Sequence, residues 1–259
     1  MNPPERQLPV RSVQQPPAIV SRKGRVADQR FYAWVAFAAF VIVFVGFSRT
    51  FFLRLLFDLP PLPWVLIGHG VLMTGWFVLY FVQTLLVRSR QFSLHRQLGM
   101  FSVGYVVLVV ISGLAVAIHA GARDVLEPGA LPFMGALFIL MAVFAVLVAG
   151  AFLLRHRRDF HQRLMLLSLL SMISPGLFRI PVEVLGSFFV FLKTGGFFGL
   201  FSIQLLLVYS CIIWDTWRHR RLHPAFAAGG LLIVAENTPL MGLIVTSPAW
   251  MHFAKWLVT

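Results

Sequence analysis

Apolar residues in this chain come in long blocks separated by short polar or Pro/Gly-bearing breaks. Seven blocks stand out, at about 31–52, 63–86, 99–119, 131–154, 164–185, 195–214 and 224–245. Each is close to the ~20 residues that an α-helix needs to cross a hydrocarbon core. Pro60-Pro61, Pro128-Gly129, Gly195-Gly196 and His223-Pro224 fall between blocks, where helix-breaking residues belong. The pattern predicts an all-α, polytopic transmembrane helix bundle of about seven spans over residues 31–246. Residues 1–30, rich in Pro, Gln and Arg, read as a disordered basic tail. Residues 247–259 read as a short external segment.

Charge orients this bundle. The tail carries Arg6, Arg11, Arg22, Lys23, Arg25 and Arg30, and three alternate turns carry ten more basic residues. These ten are Arg88, Arg90 and Arg96, then Arg155, Arg157, Arg158 and Arg163, then Arg218, Arg220 and Arg221. Of the 22 Lys and Arg residues, 16 therefore fall on one side, which predicts a cytoplasmic N-terminus and a periplasmic C-terminus. The same turns suit anionic lipid headgroups. The net charge of +13 alone would suggest nucleic acid. The remaining composition, 59% hydrophobic and 12% charged with a mean hydropathy of +0.83, argues for a membrane instead. The lone cysteine, Cys211, excludes an intrachain disulfide and reads as inert packing. Trp34, Trp64, Trp214, Trp217, Trp250 and Trp256 fit interfacial belts, and His156, His219, His223 and His252 read as surface residues.

Candidate chemistry lies in the polar residues that interrupt the blocks. In the second span His69, Trp76 and Gln83 recur every seven residues, which drifts only ~20° per step and makes one stripe. Groups that dislike lipid must face protein, a cavity or a ligand. Arg179 and Glu183 are spaced to pair on one helix. Glu236-Asn237 interrupts the seventh span, and Pro239 cannot donate to the carbonyl of Ala235, which the pattern leaves free. Glu236 is expected to point inward with Arg179 as its cationic partner; protonation and ligand contact are the alternatives.

Neutral imidazole is a ligand for b-type haem, and Gly68, Gly70, Gly99, Gly113 and Gly121 near His69, His95 and His119 would admit a flat macrocycle. By depth the pairs are His69 with His119, and His95 with His161. That layout resembles the ascorbate-reducible diheme transmembrane cytochromes b, which implies transmembrane electron transfer. It departs from them because the fourth span has no histidine and the third would supply two. The only metal expected is such a haem iron.

A second resemblance covers most of the chain after Arg30. His69-x3-Met73-x2-Trp76-x6-Gln83 is followed by Leu94-His95-Arg96-x-Leu98-Gly99, by His161-x-Arg163-Leu164-Met165-Leu166-Leu167, by Arg179, and by Asp215 before a turn ending His223-Pro224. This series resembles a family of uncharacterised bacterial multipass membrane proteins. It implies seven spans, residence in the bacterial inner membrane, and no particular activity. The segments at Leu94–Met100 and Phe160–Met165 also resemble each other, as a two-span repeat would. Three functions stay open: a haem-binding electron carrier, a transporter or binder of a small molecule or ion, and an accessory subunit with a membrane-protein partner. No nucleophile with a base, metal-ligand cluster or phosphate loop is present, which argues against hydrolase or kinase chemistry.

Overall fold

Proline separates the continuous helices from the broken ones. The computed structural model describes residues 22–123, 125–180 and 197–259, and every regular element among them is helical. Helices α1 (Arg22–Phe47), α2 (Trp64–Arg88), α3 (Phe92–Arg123) and α4 (Ala130–Leu153) have no proline beyond the first turn and run uninterrupted. The next apolar block contains Pro175 and breaks into α5 (Arg158–Ser171) and α6 (Ser174–Leu177). After α7 (Phe197–His219), the last block contains Pro239 and breaks into α8 (Pro224–Glu236) and α9 (Pro239–Val245), bent by 58°. Helix α10 (Pro248–Val258) closes the chain.

Among the described residues, α1 (continued to Phe52), α2, α3 and α4 are each long and apolar enough to cross a membrane, and α8 with α9 makes a fifth if the bent pair counts as one. The chain is an all-helical membrane protein. The end of the expected fifth span, from residue 181 and with Glu183, lies outside the described residues, as do 1–21. Helix α1 already begins at Arg22, ahead of the first apolar block and within the tail expected to be disordered.

Cross-helix contacts fix the directions. Gln83 near the end of α2 meets His95 near the start of α3, and His161 in α5 meets Ala151 at the end of α4. Arg163 meets Asp215 near the end of α7, and Arg218 in α7 meets Asp28 in α1. The basic turns therefore gather at one end of the bundle, called the basic end below. The core lies between α1, α2, α4, α5 and α8, where Trp76, Phe77, Phe144, Leu147, Leu166, Leu167, Ile173 and Phe226 are buried. At the far end α1 and α6 touch backbone to backbone: a Cβ on Gly46 would stand 2.1 Å from the carbonyl oxygen of Gly176. Only glycine permits that approach.

The segment after Thr246 is a docked helix. Ser247 Oγ accepts from the Trp250 N–H, and Pro248 opens the first turn, a strong start signal. Trp250 donates its indole N–H to the Leu131 carbonyl at 2.9 Å, and Ala254 packs with Ala117, Leu131 and Met134. Trp34, Trp64, Trp217 and Trp256 are exposed on the bundle surface, as belt residues should be. Trp214 instead stacks on Phe31 at 3.8 Å.

Candidate functional site

The stripe on α2 faces protein along its whole length. His69 Nδ1 lies 3.0 Å from Ser112 Oγ on α3. Since that hydroxyl already donates to the Val109 carbonyl, it accepts from His69. Trp76 is buried edge-on against Phe144 of α4, 5.3 Å between centroids. Gln83 reaches the first turns of α3. With its NH2 towards His95 and its oxygen towards Gly99, it donates to His95 Nδ1 at 2.5 Å and accepts from the Gly99 N–H at 3.0 Å. In the other sense the amide would oppose donor to donor.

Neither histidine pair fits a bis-imidazole haem. His69 sits beside Ser112 and Gly113, whereas His119 lies six to seven residues further along α3, a rise of about 10 Å. The equal depth expected of them is not observed. Near the opposite end of α3 His161 fixes Nδ1 on the Ala151 carbonyl at 2.9 Å and keeps Nε2 free. His95, however, accepts at Nδ1, which puts its hydrogen on Nε2, the nitrogen an iron would need. We derive no electron-transfer step through haem.

The basic end holds a network that sequence reasoning overlooked. Arg163 donates from Nε and Nη2 to both oxygens of Asp215, at 2.9 and 2.7 Å, with side-chain exposures of 3% and 1%. Its Nη1 donates to the Asp159 carbonyl, and the guanidinium lies 5.8 Å from the Phe226 ring centre. His219 contacts Asp215 and, at 3.7 Å, Asp28. Burial pushes the Asp28 carboxyl above its ordinary range, against the pull of His219 and Arg218. His223, expected on the surface, is buried. Its Nδ1 accepts the Ala225 N–H as the N-cap of α8, and its Nε2 lies 3.1 Å from Asp159 Oδ2. This network reads as a structural clamp, because Arg163, Arg218, His219 and His223 each face an aspartate.

The second polar group is unmatched. Because Pro175 has no N–H, the carbonyl of Ser171 loses its helical donor, and Gln204 on α7 supplies one. The Gln204 Nε2 lies 3.1 Å from the carbonyl oxygens of both Leu170 and Ser171. The carbonyl of Ala235, expected to be free, instead accepts from the Thr238 hydroxyl at 2.8 Å. Asn237 donates to the Ile233 carbonyl at 2.6 Å. Four side-chain oxygens remain without partners: both of Glu236, Oδ1 of Asn237 and Oε1 of Gln204. Their residues are 4%, 3% and 0% exposed.

These oxygens lie at one height. The Cβ position of Gly229 abuts Leu164 and Leu167 of α5, so Glu236, seven residues on, stands level with Ser171–Ser174 to within about one turn. The Cβ position of Gly230 abuts Ile212 of α7, which puts Gln204 within about 3 Å of the height of Asn237. Arg179 does not join them. It is exposed, donates to the Pro175 carbonyl at 2.9 Å and lies 4.7 Å from the Phe47 ring centre. The expected Arg179–Glu236 pair is thus not formed.

Arg163 and Asp215 were legible only as an orienting charge and as motif residues, and nothing in the sequence singled out Gln204. Comparison of the chain with protein-family models, with curated proteins and with solved structures finds no match to any of them.

Proposed function

We propose that this protein is a seven-span transporter of a small polar solute or ion in a bacterial inner membrane, with its ligand site in the layer where α5/α6 and α8/α9 break. One observation carries the reading: Glu236 is buried in an apolar bundle with neither carboxylate oxygen hydrogen-bonded. An unsatisfied carboxylate at such depth costs at least ~2.5–3.5 kcal/mol and persists where function uses it. Discontinuous helices near the midplane are how secondary transporters expose binding groups. The basic end faces the cytoplasm in this reading, with anionic lipid along its turns. Transport takes precedence over haem-linked electron transfer because His69 and His119 differ in height by about 10 Å and His95 carries its hydrogen on Nε2, so neither pair offers two free imidazole nitrogens to one iron. It takes precedence over an accessory role because packing alone gives no reason for unpaired oxygens.

The test is water access. In a Cys211→Ala background, a cysteine replacing Thr238 should react with small charged thiol reagents added to membrane vesicles. Protection of that cysteine from both sides of the membrane would refute the reading. Reporter fusions at Thr259 test the topology: activity of a cytoplasm-only reporter there would overturn it.

A further inference from the structure

We infer that the layer between the two helix breaks is a binding site for a monovalent alkali cation, with Glu236 as its charged ligand. The inference rests on the proposed reading of this layer as a ligand site and names what the site takes. Its four unpartnered atoms are all oxygens, and all are acceptors: two from Glu236, one from Asn237 and one from Gln204. The amide donors that could have met an anion are already committed, Asn237 to the Ile233 carbonyl and Gln204 to the carbonyls of Leu170 and Ser171. An acceptor-only set of hard oxygens suits a hard cation.

Backbone fields point the same way. Helices α5 and α8 both start at the basic end and both finish at this layer, so two C-terminal dipole ends, each partly negative, converge on it. Such half-helix C-termini are where transporters hold coupling ions. Charge decides the valence. Glu236 is the only ionisable side chain among the described residues of the layer, so one negative charge is neutralised by one positive charge. A divalent ion would leave an unbalanced charge in a low-dielectric interior, which is prohibitive. Among the described residues no protein cation competes. Helices α4 and α9, packed against α8, carry no ionisable side chain. Those of α5 and α7 (Arg158, Asp159, His161 and Arg163; Asp215, Arg218 and His219) stand at the basic end, and the remaining two, Tyr209 and Cys211, lie below Gln204 on α7.

The full-length protein in detergent tests this directly. Melting temperature is measured while sodium, lithium or potassium chloride replaces choline chloride at constant ionic strength, so that only specific binding changes stability. The expected result is a saturable rise with at least one alkali cation, together with stoichiometric retention of radioactive sodium or rubidium by equilibrium dialysis. Glu236→Gln keeps the shape and removes the charge, and should abolish the rise; Gln204→Leu should weaken it. The dialysis on unmodified protein stands even if a variant fails to fold. Identical melting in all four salts, with no ion retained, would overturn the inference. A rise that survives Glu236→Gln would overturn the site. If Thr238→Cys is labelled from water while no cation binds, the cation assignment alone falls; if it is never labelled, the transporter reading falls.

Discussion

Arg163 and Asp215, 52 residues apart in sequence, meet through two parallel hydrogen bonds in a position almost closed to the surroundings. Removing one partner leaves the other charge buried and alone, which costs about 3–5 kcal/mol. Asp215→Leu and Arg163→Met are each expected to lower the melting temperature in detergent sharply. Arg163→Met combined with Asp215→Leu should recover much of the loss. Simple addition of the two single effects would show that the residues act independently.

His223 makes stability depend on pH. Burial lowers its pKa against the raising effect of its hydrogen bond to Asp159. For Asp159, burial raises the pKa, but the bond from His223 and its neighbouring charge prevail and bring it below the ordinary carboxylate range. Both groups bind protons more readily unfolded than folded, so stability falls as pH falls. The histidine step begins below about pH 6.5, and the aspartate step follows only under strongly acid conditions. His223→Asn retains a capping side chain and should flatten the first step. An unchanged slope between pH 7.5 and 5 would assign that step to other groups.

Gln83 fastens α2 to α3 at the basic end. Hydrogen bonds between membrane helices average ~0.6 kcal/mol and reach ~1.7. Gln83→Leu is expected to cost about 1–2 kcal/mol, since it frees both the His95 ring and the Gly99 N–H. Unfolding in mixed micelles measures this.

Gly46→Ala should be worse than its size suggests. The clashing atoms belong to the Gly176 backbone and cannot rotate away. A loss above ~2 kcal/mol is expected, against under 1 for the same change at Gly104, where nothing lies within 4 Å of the added carbon. Equal melting temperatures for the two variants would disprove the close contact.

Much of this architecture could be read from the sequence. Seven-residue spacing on α2 identified one inward stripe because seven residues almost close two turns. Pro239 marked the break of α8 because a missing N–H is a local fact. What escaped prediction depends on rotation about helix axes rather than depth along them. Arg179 and Glu236 were expected at similar depth, yet Arg179 turns to Phe47 and Glu236 turns inward. A helix apolar on every side gives no amphipathic signal to reveal which way a residue faces. Arg163 was read as an orienting charge because nothing local distinguishes it from Arg157 or Arg158. Ser247-Pro248 is a local start signal for α10, in a segment too short to stand out by hydropathy.

The clamp at the basic end has a mechanical consequence. Ion pairs there join α1, α5, α7 and α8. At the opposite end α1 meets α6 through bare glycine backbone. The molecule is held like tongs gripped at one end. A small tilt at the clamp becomes a displacement that grows along each arm and is largest where the helices are broken.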